Sequence, residues 1–473
     1  MLVSSERSHY NESFLMYNLH KSKRIARLVC GVATAAAFSL SLTGCGDTFR
    51  PVVIPNGTPG VDPGTQRTAI VLTQAPATFP GPCATGAAAP CPGTMMQINV
   101  GGDTNSSGFN PPGDLANYVV GRGPNWASFG AAVPQVLWMV DRDSDSVNQI
   151  TPSIGANNTT ALPAGSKPVF LAVVPDPTIT TPGDIVLTAN SGTNSVSIVD
   201  GSARTVRTTV PVGANPVAIA GVPAQRKAYV VNEGDGTVSV ISTVDGTQVH
   251  PPITVGSDPV AVVVNAGALV AYVVNRGSGS VTVMDTSSDT VRTTLPTAAG
   301  SSFAVFDPKL LRVYVTNSTA NSVSVIDASS INGTVLRTVP LPAGATNPVA
   351  VTALNDGTRF YTANSTSNNV TVFDAQSFAP RTNIAVGTNP VFIASSGDSS
   401  RVYVAVHDAT IVNGATQPPG TAIIRAVAAP SENPPKAADT LVTTIPATFT
   451  DPQNCLTDSA TCVRTQPVFV ISQ

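Results

Sequence analysis

Charge, aromatic rings and cysteine are all scarce in this chain. Charged side chains make up 11% and aromatic ones 5% of its 473 residues, with two tryptophans, four histidines and six cysteines. Each shortage removes a class of function. No cluster of Lys and Arg follows Arg27, and phosphate neutralisation needs such clusters, so nucleic acid is not expected as the main ligand. No later stretch holds 18 uncharged apolar residues in a row, so no membrane-spanning helix is expected there. Beyond the first 45 residues only His250 and His407 remain, too few for a histidine metal cluster, and no metal or other cofactor is expected. Gly-x-Ser-x-Gly, His-Glu-x-x-His and a phosphate-cradling Gly-Lys pair are all missing. Glu233 and Glu432 are the only glutamates after residue 44.

The N-terminus carries what the rest lacks. Lys21, Lys23, Arg24 and Arg27 precede an uncharged apolar run from Leu28 to Leu42, too short to span a bilayer comfortably, which reads as a signal peptide over residues 1–44. The run ends on Leu42-Thr43-Gly44-Cys45, which resembles a bacterial lipobox and makes Cys45 the expected lipidated residue. Removing residues 1–44 takes away five basic and two acidic side chains, which moves the formal net charge from −3 to −6. Gly46 rather than Asp follows Cys45, which favours the outer membrane of a Gram-negative envelope. In that oxidising compartment Cys83 with Cys91, and Cys455 with Cys462, are the expected disulfides, with zinc as the rival reading. Residues 45–134, rich in Pro, Gly, Asn, Thr and Ala, read as a tether and irregular extension.

After that the chain repeats itself. A phrase opening on Asn recurs at Asn190, Asn232, Asn275, Asn317 and Asn364, at spacings of 42, 43, 42 and 47 residues, with degenerate copies at Asp141 and around Tyr403. Within each unit apolar residues alternate with Ser or Thr, as in Thr237-Val238-Ser239-Val240, a period of two that predicts strands. One unit holds four short strands, A to D. Pro168, Pro216, Pro259, Pro348 and Pro390 each open strand A, where a missing N–H costs no ladder bond. The repeated Asn follows strand B, where it is expected to bond the turn backbone.

Four-stranded units at this period, with no helices between them, predict a single all-β propeller over residues 135–473, with an insertion at 408–440. Val313-Tyr314-Val315-Thr316-Asn317 adds a resemblance: the chain resembles the YVTN-repeat family of bacterial β-propellers. Trp-Asp, kelch and quinone-type signatures are missing. The count predicts seven four-stranded antiparallel blades. The seventh is expected to join the C-terminal strand Pro467 to Ser472, as inner strand, to the N-terminal partial blade Val136 to Ile150.

Candidate chemistry gathers at the mouth of the central channel. The residues after each repeated Asn, or its equivalent, are Arg142, Ser191, Glu233, Arg276, Ser318, Ser365 and His407, and the D-to-A loops add Lys167, Asn215, Asp258, Asn347 and Asn389. The candidate binding face is therefore Arg142, Lys167, Glu233, Asp258, Arg276 and His407, opposed by the plainer reading of polar turn residues. Asp141, Asp143 and Asp145 alternate as in a calcium loop, but Ser146 and Pro152 stand where its Gly and bidentate Glu belong, and a degenerate turn is the other reading. No catalytic residue is assigned. The expected function is a monomeric, lipid-anchored, non-catalytic scaffold binding a protein or other macromolecule. A lactonase-like hydrolase at the mouth is the alternative, and a glycan-binding module ranks third because rings are scarce.

Overall fold

A computed structural model describes residues 68–74, 93–99, 104–105, 117–130, 136–151, 156–176, 183–412, 415–428, 437–447 and 466–472. The proposed signal peptide, Cys45, Cys83, Cys91, Cys455, Cys462 and Glu432 lie outside them.

The strands form eight antiparallel sheets, each a blade, apart from a small hairpin. Blades 1 to 7 begin with the inner strands Pro124–Phe129, Pro168–Pro175, Pro216–Val222, Pro259–Asn265, Ser301–Asp307, Pro348–Ala353 and Pro390–Ser395. The eighth blade takes its inner strand, Gln466–Ser472, from the end of the chain and its next two, Thr68–Gln74 and Thr94–Asn99, from the beginning. Its outer edge is split between Thr104–Asn105 and Asn117–Val119. Inner strands of successive blades neighbour one another, and Gln466–Ser472 neighbours those of blades 7 and 1.

These strands correct the expected count of seven. Val136 to Ile150 does not pair with the C-terminal strand, because Pro124–Phe129 already serves as its strand A, with Ala127 opposite Met139. The C-terminal strand pairs instead with Thr68–Gln74, setting Val470 opposite Val71 and Ile471 opposite Ile70. Strands therefore begin well before residue 135. The expected insertion at 408–440 also resolves differently: a hairpin, Thr410–Val412 with Ala415–Gln417, enters between strands B and C of blade 7, and Gly420–Arg425 is strand C itself.

Burial follows from stacking blades face to face. Strand B is covered on both sides, so Asp184–Asn190 and Val270–Asn275 are buried throughout, and unbroken apolar stretches such as Ile185 to Leu187 and Val270 to Val274 replace alternation. The outer strand Thr205–Pro211 has one wet face and alternates. Tyr229, Tyr272, Tyr314, Tyr361 and Tyr403 occupy one register of strand B, all fully buried, and Trp138 fills it in blade 1. The polar tips of Trp138, Tyr229 and Tyr361 tie consecutive blades together, with the Tyr229 hydroxyl donating to Asp289. Trp138 Nε1 donates to Asp184 at 2.8 Å, and the Tyr361 hydroxyl donates to Asp439 at 2.8 Å.

The repeated Asn acts differently from expectation. It turns into the blade, and its Nδ2 donates to the side chains five and seven residues on rather than to turn backbone. Asn275 reaches Ser280 at 3.1 Å and Thr282 at 3.0 Å, and Asn317 reaches Ser322 and Ser324 at 3.1 and 2.9 Å. Asn190, Asn232 and Asn364 make the same pair of bonds. One amide thus locks strand B to strand C in each of blades 2 to 6. This explains why Ser, Thr or Asn recurs at those two positions of strand C.

Candidate binding site at the channel mouth

The mouth is built in tiers. Arg142, Ser191, Glu233, Arg276, Ser318, Ser365 and His407 share one backbone geometry, each donating its N–H to the carbonyl of the residue just before strand A of its own blade. That preceding residue is left-handed in blades 1 to 7: Gly123, Lys167, Asn215, Asp258, Gly300, Asn347 and Asn389 have φ between 45° and 78°. Gly, Asn and Asp suit this conformation, whereas a longer side chain there is disfavoured. The requirement explains every one of these residues except Lys167. Its N–H is held by Asp145 Oδ1 at 2.7 Å.

Below the left-handed residue every inner strand carries a bulge. Strand A of each of the eight blades skips one residue in its pairing with strand B, directly after the opening Pro or Ser. The skipped residues are half-buried, and six of them are Val, with Asn125 and Ser302 as the polar exceptions. The following residue forms the floor: Trp126, Phe170, Ala218, Ala261, Phe303, Ala350, Phe392 and Phe469 in chain order. Five are aromatic and pack on one another. Trp126 stacks on Phe170 at 4.2 Å between centroids and also meets Phe469 and Phe392, while Phe392 takes Phe303 edge-on at 5.3 Å.

Ala218 and Ala261 interrupt that floor in two adjacent blades, between Phe170 and Phe303. A cavity of about 360 Å³ is found in this arc, lined by Val169, Val217, Val260 and Ala261 with Trp126, Phe170 and Phe303. Asn125, Ser191, Asn215 and Arg142 supply its polar edge. Arg142 is the sole charged residue of the lining.

All six residues of the expected binding face stand on this rim, but the structure sorts them. Glu233 Oε2 accepts from Asn215 Nδ2 at 2.8 Å, and its other oxygen pairs with the Arg276 guanidinium of the next blade. His407 Nδ1 lies 2.7 Å from Asp408 Oδ1, and Asp408 Oδ2 accepts from Asn389 Nδ2 at 3.0 Å. Burial works to raise the Asp408 pKa, yet these contacts with His407 and Asn389 hold it below the usual carboxylate range. Asp258 serves the loop backbone through its left-handed conformation. Only Arg142 reaches the cavity.

The calcium reading does not fit the geometry. Asp145 accepts the N–H groups of Gly165 and Lys167 at 2.8 and 2.7 Å, whereas Asp141 turns inward and is fully buried. Its Oδ2 accepts from Asn148 Nδ2, from the Gly121 N–H at 3.2 Å and from Ser146 Oγ at 3.4 Å. Any Cβ at residue 121 would lie 2.4 Å from that oxygen, so glycine is required there. Burial pushes the Asp141 carboxyl up to about 7, against the lowering effect of the Gly121 N–H and Ser146.

Reasoning on the sequence missed the channel floor. Its signal was present in Asn125-Trp126, Val169-Phe170, Val391-Phe392 and Val468-Phe469, each following a strand-opening proline. Overall scarcity of rings concealed their concentration in one tier.

No family model matches the chain, and no curated protein matches it. Similar solved structures include hydrazine synthase from Kuenenia stuttgartiensis, with 18% identity and a TM-score of 0.46 over 61% of this chain and 92% of that one. Another is a functionally unknown protein from Desulfotomaculum acetoxidans, with 12% identity and a TM-score of 0.46 over 65% of this chain and 93% of that one. The fold itself rests on the strand pairing: the described residues of this chain form an eight-bladed all-β propeller.

Proposed function

We propose that this protein is a cell-envelope lipoprotein of the YVTN-repeat kind, anchored through Cys45 and sorted to the outer membrane. Its propeller acts as a rigid, non-catalytic scaffold that binds a protein or other macromolecule over the channel mouth. We also take Gln466–Ser472 to be the strand that shuts the ring. Its place beside blades 7 and 1 supports this.

One observation carries the binding reading. The groups at the mouth with chemical potential already have partners: Glu233 is tied to Asn215 of its own blade and to Arg276 of the next, and His407 to the adjacent Asp408. A carboxylate saturated by an amide and a guanidinium is a poor general base, whereas a pre-ordered polar rim loses little freedom when a partner docks. The test replaces Glu233, Arg276 and His407 together with Ala and compares material co-purified from native membranes. Loss of a specific partner, with no turnover on a lactone panel in either protein, is expected. Lactone hydrolysis that vanishes in the triple variant would overturn the reading in favour of a hydrolase. Cys45→Ala is expected to release the protein from membranes, and full retention would remove the anchor from the proposal.

A further inference from the structure

We infer that the cavity between Phe170 and Phe303 is a binding site for a small organic carboxylate with an apolar, preferably aromatic, body. The inference rests on the reading of the mouth as a binding face and names a ligand for one sector of it. Three independent features converge there.

First, the cavity is made by a local omission. Five blades place an aromatic ring on the channel floor, and the adjacent alanines Ala218 and Ala261 leave the space of two rings unfilled. At about 360 Å³ it falls at the small end of ligand pockets, roughly 300–1,000 Å³. Its walls are valine and its floor carries the faces and edges of Trp126, Phe170 and Phe303, which suits a flat apolar group.

Second, the lining carries a single charged group, and it is a cation. The exposed guanidinium of Arg142 makes no ion pair with any carboxylate among the described residues, unlike Arg276. Arg122 of blade 1 and Lys167 of blade 2 make none among the described residues either. Of the carboxylates on the surrounding rim, Asp143 abuts Gly123, Asp145 accepts the backbone N–H groups of Gly165 and Lys167, Glu233 is held by Asn215 and Arg276, and Asp258 abuts Gly277; none of the four lines the cavity. A planar guanidinium beside an apolar hole is matched by a carboxylate, which it can meet with two parallel hydrogen bonds.

Third, Lys167 stands where the loop geometry favours Gly, Asn or Asp, at φ 45°. A residue held against its conformational preference at a binding surface is a sign of a role there. Here that role is a second cation on the rim, one blade on from Arg142 and outside the cavity lining.

Trp126 lies in the cavity floor, and Trp138, the other tryptophan, is buried within blade 1 on Asp184. Indole emission therefore reports occupancy. The purified full-length protein would be titrated with 4-phenylbutyrate and with its neutral counterpart 4-phenylbutan-1-ol. Saturable quenching by the acid is expected, with the alcohol about ten-fold weaker or more, the scale of one charge-assisted pair. Arg142→Gln, at an exposed position, should bring the acid down to the level of the alcohol. Ala261→Phe, which restores the ring other blades carry, should abolish both.

Equal affinity for acid and alcohol in the unaltered protein would overturn the inference, as would binding that survives Ala261→Phe. Absence of saturable quenching, checked by calorimetry, would overturn it as well. If Ala261→Phe fails to fold, Arg142→Gln alone decides. None of these variants touches Glu233, Arg276 or His407, so failure here and failure of the scaffold reading are separate results.

Discussion

Blades 2 to 6 and the arc formed by blades 7, 8 and 1 hold themselves together in different ways. In the first group an Asn ends strand B and locks it to strand C. In the arc the same register, opposite the opening proline of strand A, is filled by Val406, Thr73 and Asp141. Thr73 shares a hydroxyl contact with Thr94 at 2.6 Å, Val406 offers no polar atom, and Asp141 accepts instead of donating. The missing lock coincides with the densest part of the channel floor. Phe392, Phe469 and Trp126 belong to these three blades and touch one another, with centroids 4.5 to 5.5 Å apart. The comparison teaches that a blade can be fixed by an amide within its own sheet or by rings that knit neighbouring inner strands across the channel. The second device is needed where the two ends of the chain meet, because the strands joined there are not covalent neighbours.

The strongest way to break this comparison is to remove the strand both devices depend on in blade 8. Deleting residues 467–473 strips the partner from Ile70, Val71 and Leu72, all fully buried, and bares an apolar strand edge. Aggregation or a large fall in melting temperature is expected. An unchanged melting profile would show that the C-terminal strand does not shut the ring. Next in size, Phe469→Ala removes the ring that bridges Trp126 and Phe392. A loss of about 3–5 kcal/mol in denaturant unfolding is expected for a buried Phe. A loss below about 1 kcal/mol would mean that the aromatic knit contributes little there. Asn275→Ala tests the other device. It deletes two bonds from a fully buried amide, at a cost of about 2–4 kcal/mol including the small void left behind. The same unfolding curves decide whether amide and rings rank in this order.

The regular blades were legible in the sequence for physical reasons, and the arc was hidden for equally physical ones. Period-two alternation, strand-opening prolines and turn residues are local signals, so Pro216 to Ile241 could be parsed into three strands from the sequence alone. Blade 8 escaped because its strands come from residues far apart and its Thr73 does not announce the Asn register. Strand C of blade 7 was lost because Gly420 and Ala422 stand where other blades carry the hydroxyl or amide partners of Asn. The places of the charged mouth residues were readable, since Arg142, Glu233, Arg276 and His407 follow the Asn register or its equivalent and Lys167 and Asp258 directly precede a strand-opening proline. The cavity was not, because a bulge after each opening proline sets two successive residues toward the channel. Alternation by two assigns those residues to opposite faces.

The smallest expected effect sharpens the comparison most, because it converts one device into the other. Asp141 fills the Asn register of blade 1, with Asn148 as its donor where other blades place a hydroxyl two residues beyond the first contact. Its Oδ1 has no hydrogen-bond partner among the described residues, and burial holds its pKa near 7 against an ordinary value of 3.8. The folded protein therefore keeps a proton on Asp141 that the unfolded chain releases between these two values. Stability from this group is present below pH 3.8 and is lost as pH rises toward 7. Asp141→Asn removes the charge that must be buried at higher pH, and its amide can donate to Ser146. The full charging cost is about 4 kcal/mol at ~1.4 kcal/mol per unit. Part of it is offset by weaker bonds from Gly121 and Asn148 to a neutral oxygen, so a net gain of about 1–3 kcal/mol at pH 8 is expected. At pH 4 the variant should be no more stable than the parent. Unfolding free energies at the two pH values give the answer: a gain of equal size at both would assign the benefit to packing, and no gain at pH 8 would mean that Asp141 is charged at little cost where it lies.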